Sequence, residues 1–181
     1  MPRHILTGTP GSGKTTILRQ LELEGFYVVE EAATDVIALE QAKGIAEPWL
    51  QPVFLNQIAA LQCQRQLQSS RPDEIQFHDR SVICTAALAE YLGYDLSPFL
   101  SGEVARVLRE NIFDRRVFFL RNLGFVQPTE ARRISFEESL RFEQIHQETY
   151  RRYGFELIFI EPGDIASRIQ AILGALPSSR S

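Results

Sequence analysis

The chain has 181 residues, 44% hydrophobic and 23% charged, with a formal net charge of −4; that length fits one domain with one sizeable core and leaves no room for two ordinary ones. No apolar run approaches the roughly 20 residues that a membrane-spanning helix needs, and the acidic balance disfavours nucleic acid as the main partner, although local arginine clusters can still meet phosphates. Cys63 and Cys84 have no metal-ligand spacing and fall inside helical patterns, so they read as small buried hydrophobes rather than a disulfide or catalytic pair.

Short β-rich runs alternate with longer helical periods, the pattern of βα units around a parallel sheet covered by helices on both faces. Residues 4–7 form the first predicted strand. It comes so soon that no leader peptide fits ahead of it, and a cytoplasmic address is expected. A helix over 14–24 follows, with Ile17, Leu18 and Leu21 on one face and Gly25 as its stop. A second strand covers 26–29 and a helix 34–43 ends at Gly44. The stretch 49–67 reads as one long amphipathic helix closing before Pro72. A third strand over 75–78 leads into a helix over 82–92 that stops at Gly93, and a fourth strand covers 117–120. Ser135-Phe136-Glu137-Glu138 is a capping box, in which the hydroxyl accepts from the backbone three residues on and Glu138 reaches back. It starts a helix that runs to about Tyr153; a fifth strand over 155–160 and a helix over 165–173 close the domain, 1–176. The tail 177–181 has nothing to bury and is expected to be disordered.

Between the first strand and first helix lies Gly8-Thr9-Pro10-Gly11-Ser12-Gly13-Lys14-Thr15, followed by Thr16. A triphosphate needs many donors converging on a small volume, and backbone amides supply them only where side chains do not obstruct the approach, hence the glycines. Lys14 is suited to the β and γ phosphates and the Thr15 hydroxyl to Mg2+, with the positive end of the helix directed at the anion. The expected cofactors are ATP and magnesium.

Ligands of open parallel sheets bind beyond the carboxyl ends of the strands. The third strand runs into Asp79-Arg80-Ser81, where Asp79 is suited to hold magnesium through water, Arg80 to pair with phosphate or substrate oxygens, and Ser81 to cap the next helix. The second strand runs into Glu30 and Glu31; a carboxylate there can orient an acceptor hydroxyl and take its proton. Neighbouring residues at a strand end point in opposite directions, so one of the two faces the pocket, and which one stays open. Gln127 to Arg133 stands where a segment can close arginines onto phosphates, which nominates Arg132 and Arg133, with Arg121 as a third. Glu161-Pro162-Gly163-Asp164 is placed to pass beside the nucleotide base. Trp49 and Phe54 are candidates for an acceptor pocket or for core, and His4, His78 and His146 lie too far apart for a metal site.

The segments TGTPGSGKTT, VVEEAA, FHDRS and TEARRISFEE, with the apolar strand FELIFIEP, resemble the NadR/Ttd-like AAA family of small P-loop ATPases and kinases over nearly the whole chain. They are also similar to deoxynucleoside kinases, in which a glutamate ends the second strand and an acidic-Arg-Ser motif the third. The resemblance implies a three-layer α/β P-loop NTPase fold whose five-stranded parallel sheet has order 2-3-1-4-5. Glu30 or Glu31 facing Asp79-Arg80 across the expected cleft points to a kinase moving the ATP γ-phosphate to a small nucleoside- or nucleotide-like acceptor, in a monomer or homodimer. Two alternatives stay open. One is an NTP hydrolase, although Arg80 rather than a water-polarising glutamate follows Asp79. The other is a GTPase-like regulatory module, although Leu123 follows Asn122 where a guanine-reading motif would need lysine.

Overall fold

The protein is described by a computed structural model covering residues 3–8, 10–69, 74–123 and 135–176. The expectations for Thr9, Arg132, Arg133 and the tail 177–181 fall outside these residues. Five strands, β1 (Arg3–Gly8), β2 (Tyr27–Val29), β3 (Gln76–Asp79), β4 (Arg116–Leu120) and β5 (Glu156–Ile160), form one sheet in the order β2-β3-β1-β4-β5. All four pairings are parallel.

Helices cover both faces. Along β1, Ile5 and Leu6 point to opposite sides, as the two-residue period of a strand requires. Ile5 and Val117 meet α3 (Val53–Gln68), α4 (Val82–Leu92), α5 (Pro98–Arg109) and α6 (Phe136–Arg152). Leu6, Phe118 and Leu120 meet α1 (Lys14–Leu23) and α7 (Ile165–Gly174). Double coverage is why β1 and β4 read as continuous apolar runs. A smaller cluster joins α2 (Ala33–Ala42) to α3 through Val36, Ile37, Phe54 and Ile58.

The structure departs from the sequence expectations at several places. The helix predicted over 49–67 is broken: Pro48–Leu50 forms a single 3-10 turn and α3 begins only at Val53, because Pro52 cannot donate into a helix interior and instead stands at the N-cap. Helix α5 was not anticipated, although its signals are present. Ser97 caps it through Leu100 N, Pro98 occupies its first turn, and Leu100, Val104 and Val107 recur at helical spacing on its buried face. The capping box at Ser135 forms as expected. Cys84 is a buried free thiol, whereas Cys63 is only half buried.

Candidate active site

Because β3 pairs with both β1 and β2, the carboxyl ends of three strands distant in sequence lie side by side. On β1 the chain enters the glycine loop at Gly8, whose φ is +150°; a Cβ there would lie 2.6 Å from the Leu120 carbonyl oxygen, so no other residue fits. Gly13, with φ +73°, turns the loop into α1. Leu123 N–H donates to the Gly11 carbonyl at 3.3 Å, tying the loop to the end of β4. Pro10 and Gly11 are half buried and Ser12 is buried, while Thr15 and Thr16 stand exposed on the first turn of α1.

Lys14 is only 7% exposed, and its Nζ forms an ion pair with Asp79 Oδ1. Asp79 ends β3 opposite Leu6 of β1, which places it beside the loop. Burial pushes its carboxyl above the usual carboxylate range; Lys14 pulls in the other direction. An oxygen donor set of one carboxylate and one hydroxyl, Asp79 and Thr15, matches the chemistry of a magnesium ion that keeps most of its ligands as water and phosphate.

The next residue, Arg80, has φ 71°, a left-handed conformation that costs a non-glycine residue of order 1 kcal/mol or more. Its N–H donates to the Leu6 carbonyl at 3.0 Å and its Nε to Glu31 Oε1 at 2.7 Å. Arg80 and Glu31 side chains are 8% and 13% exposed. Burial alone would ease deprotonation of Arg80, but Glu31, Cys84 and Asp79 outweigh it and hold the guanidinium more firmly charged than usual.

The structure separates Glu30 from Glu31. Glu31 turns inward, taking Arg80 on one oxygen and the Thr34 hydroxyl on the other at 2.7 Å. Glu30 turns outward to Arg19 on the surface. The turn that divides them is held by Arg65 of α3, which donates to both of their carbonyl oxygens and pairs with Asp35. In the sequence Arg65 is one residue of a helical pattern, and nothing local marks a contact made across more than thirty residues.

Glu31, Arg80 and Pro10 open onto a cavity of about 700 Å³. Trp49, Phe54 and Ile58 line one side, Leu88 and Tyr91 of α4 another, and Glu138, Phe142 and His146 of α6 a third. Those three α6 residues are spaced by four, one stripe along the helix. That spacing is visible in the sequence, but nothing local marks it as a pocket wall. His146 Nδ1 donates to the Phe142 carbonyl at 3.0 Å, and burial together with the Arg80 charge lowers the ring to about 3, so it is neutral. Beneath the cavity, Tyr150 is fully buried; its hydroxyl lies 2.9 Å from Cys84 Sγ and 3.1 Å from Ser81 Oγ. Ser81 also caps α4 through Ile83 N. Arg121 stacks its guanidinium 4.2 Å over the Phe159 ring and pairs with Glu143 at 3.2 Å. Asp164 caps α7, and Glu161 is exposed. Among the described residues no group of three or more His, Cys, Asp or Glu is arranged to hold a metal, and no helix is long and apolar enough to cross a membrane.

Comparison with solved structures finds the same fold. A deoxyadenosine kinase from M. mycoides with bound dATP superposes with a TM-score of 0.63 at 18% identity, covering 96% of this chain and 98% of that one. The same enzyme with bound dCTP gives 0.64 at 17% identity, covering 96% and 97%. A NadR protein in complex with NR gives 0.66 at 18% identity, covering 99% of this chain but 52% of that chain. No curated protein matches by sequence. The model of a family described as an AAA domain matches residues 3–168, and the chain, with its P-loop and 2-3-1-4-5 sheet, belongs to that family.

Proposed function

We propose that this protein is a magnesium-dependent phosphotransferase that moves the γ-phosphate of ATP to a hydroxyl of a small, nucleoside-like acceptor. The observation that carries this reading is the placement of Glu31. A largely buried carboxylate, braced by Arg80, stands where a cavity of about 700 Å³, lined by aromatic rings, meets the phosphate loop. A hydrolase needs only a water there, and would have no use for a cavity of that size and lining.

In this mechanism the amides of residues 8–15, including Thr9 and Ser12, cradle the triphosphate, and Thr16 supports the first helical turn. Lys14 exchanges Asp79 for the β and γ oxygens. Thr15 and Asp79 would hold magnesium, which when bound neutralises charge on the phosphates. The acceptor lies against Trp49, Phe54 and Phe142, and Glu31 orients its hydroxyl. As that oxygen bonds to the γ-phosphorus, the bond from phosphorus to the β–γ bridging oxygen breaks, and the proton passes to Glu31. Arg80, fixed through Nε by Glu31, pairs with oxygens of the acceptor or of the transferred phosphate. Arg132 and Arg133 are proposed to add transition-state charge.

The test is nucleoside diphosphate release from ATP and GTP with magnesium, alone and with a panel of nucleosides and nucleotides. Acceptor-dependent release with a phosphorylated product is expected. Release at the same rate without acceptor would instead establish a hydrolase.

A further inference from the structure

Arg168 stands in the first turns of α7, far in sequence from every residue of the phosphate loop, yet its Nη1 donates to the Ser12 carbonyl at 2.8 Å. The same atom lies 3.0 Å from where a Cβ on Gly13 would sit, so the guanidinium rests against the loop one residue before Lys14. The residue is 4% exposed. Its other two nitrogens, Nε and Nη2, have no hydrogen-bond partner among the described residues, and neither does the buried Ser12 Oγ. Among the described residues no carboxylate forms an ion pair with Arg168; Asp164 takes the Ser167 amide and hydroxyl, and Asp79 takes Lys14. Burial accordingly lowers the Arg168 pKa with nothing opposing it.

A buried guanidinium without a counter-ion is destabilising in itself, and an anionic ligand placed against it would offset that cost. The two unpaired, buried nitrogens form one edge of the planar group, the geometry that grips a pair of oxygens side by side. Resting on the reading of residues 8–15 as a nucleotide site, we propose that Arg168 is a further binding residue of that site. Its Nη1 holds the loop through Ser12, and its Nε and Nη2 edge receives phosphate oxygens of the bound nucleotide. The phosphate-loop motif ends at Thr15 and contains no such group. A second cation, supplied from the last helix, therefore makes formation of the triphosphate site depend on the packing of α7 against α1.

The experiment compares the full-length wild type with R168M, R168K and K14M. It measures the Kd of inorganic tripolyphosphate and of ATP by calorimetry, and Tm without ligand. R168M should weaken both ligands by about 10- to 100-fold, the range for a charged hydrogen bond or two, with an unliganded Tm equal to or above wild type because the unpaired charge is gone. R168K keeps charge and one donor for Ser12 but not the second edge, and should be intermediate. A fall in Tm of about 5 °C or more with both affinities intact would make Arg168 a structural clasp and overturn the proposal. Retained tripolyphosphate affinity with weakened ATP would assign the edge to base or ribose and overturn the phosphate assignment. Should R168M lose both Tm and affinity, R168K decides: restored Tm with weak binding supports the proposal, and restoration of both overturns it. K14M separates the underlying reading, since K14M binding tripolyphosphate as tightly as wild type, or wild type binding none, sinks the phosphate loop itself and this inference with it.

Discussion

Replacing Glu31 and Glu30 by glutamine, one at a time, tests the proposed site with two chemically identical changes one residue apart. Glu31 and Arg80 are both largely buried and 2.7 Å apart, so their attraction is weakly screened. Two charges roughly 4 Å apart at an effective dielectric near 20 attract by about 4 kcal/mol. Glutamine keeps an oxygen that can accept from Arg80 Nε, but it leaves the guanidinium charge less balanced; we expect Glu31→Gln to cost about 2–3 kcal/mol of stability, below the 3–5 found when a buried pair is broken outright. As the proposed base it should also lower acceptor-dependent turnover by about 10²- to 10⁴-fold. Glu30 pairs with Arg19 where both side chains are more than half exposed, at 56% and 55%, so Glu30→Gln should leave stability and turnover within error of wild type. Urea denaturation and coupled detection of nucleoside diphosphate read the two effects separately. If Glu30→Gln lost as much turnover as Glu31→Gln, or if Glu31→Gln retained full turnover of a confirmed acceptor, the inward assignment of Glu31 as base would be wrong.

Acid should destabilise the fold through its histidines. Burial pushes His78 and His146 each down to about 3, so between pH 6.5 and 3 the unfolded rings bind protons that the folded rings refuse; stability falls as pH drops through that window and is flat above about 7. The loss is about 2 kcal/mol per ring at pH 5, and urea midpoints that do not shift between pH 7.5 and pH 5 would contradict it. Tyr150→Phe removes a fully buried hydroxyl from between Ser81 and Cys84, with an expected cost of about 1–2 kcal/mol; denaturant unfolding checks it, and no change would mean the cluster contributes nothing. Phe54→Ala hollows both the α2–α3 cluster and the acceptor cavity. It should cost about 3–5 kcal/mol and raise the acceptor KM without altering ATP affinity, as steady-state kinetics and calorimetry will report; an unchanged KM would remove Phe54 from the acceptor site.

The local sequence was sufficient for features whose physics is local. Glycines 8, 11 and 13 before Lys14, the short strand runs and the Ser135 capping box each depend on near neighbours in the chain, and the five strands and the cap form as read. Polar residues ending apolar strands marked Asp79-Arg80 and the Glu30-Glu31 pair as facing the mouth of a sheet. Pro52 and the Ser97-Pro98 start of α5 are equally local signals, but neither shows in the apolar period of the chain. The strand order was available only through family resemblance, because pairing between β3 and β1 joins residues more than seventy apart and leaves no period in the chain.

Tertiary structure decided the rest. Glu31 rather than Glu30 faces the cavity because Arg65, reaching from α3, fixes the turn between them. His146 joins the cavity wall because α6 crosses α4 at that level, and Arg168 meets Ser12 only because α7 packs on α1. What chemistry the chain carries is written in its residue types and short spacings. Which of those side chains share one site depends on burial and non-local packing, which pair groups that the linear order keeps apart.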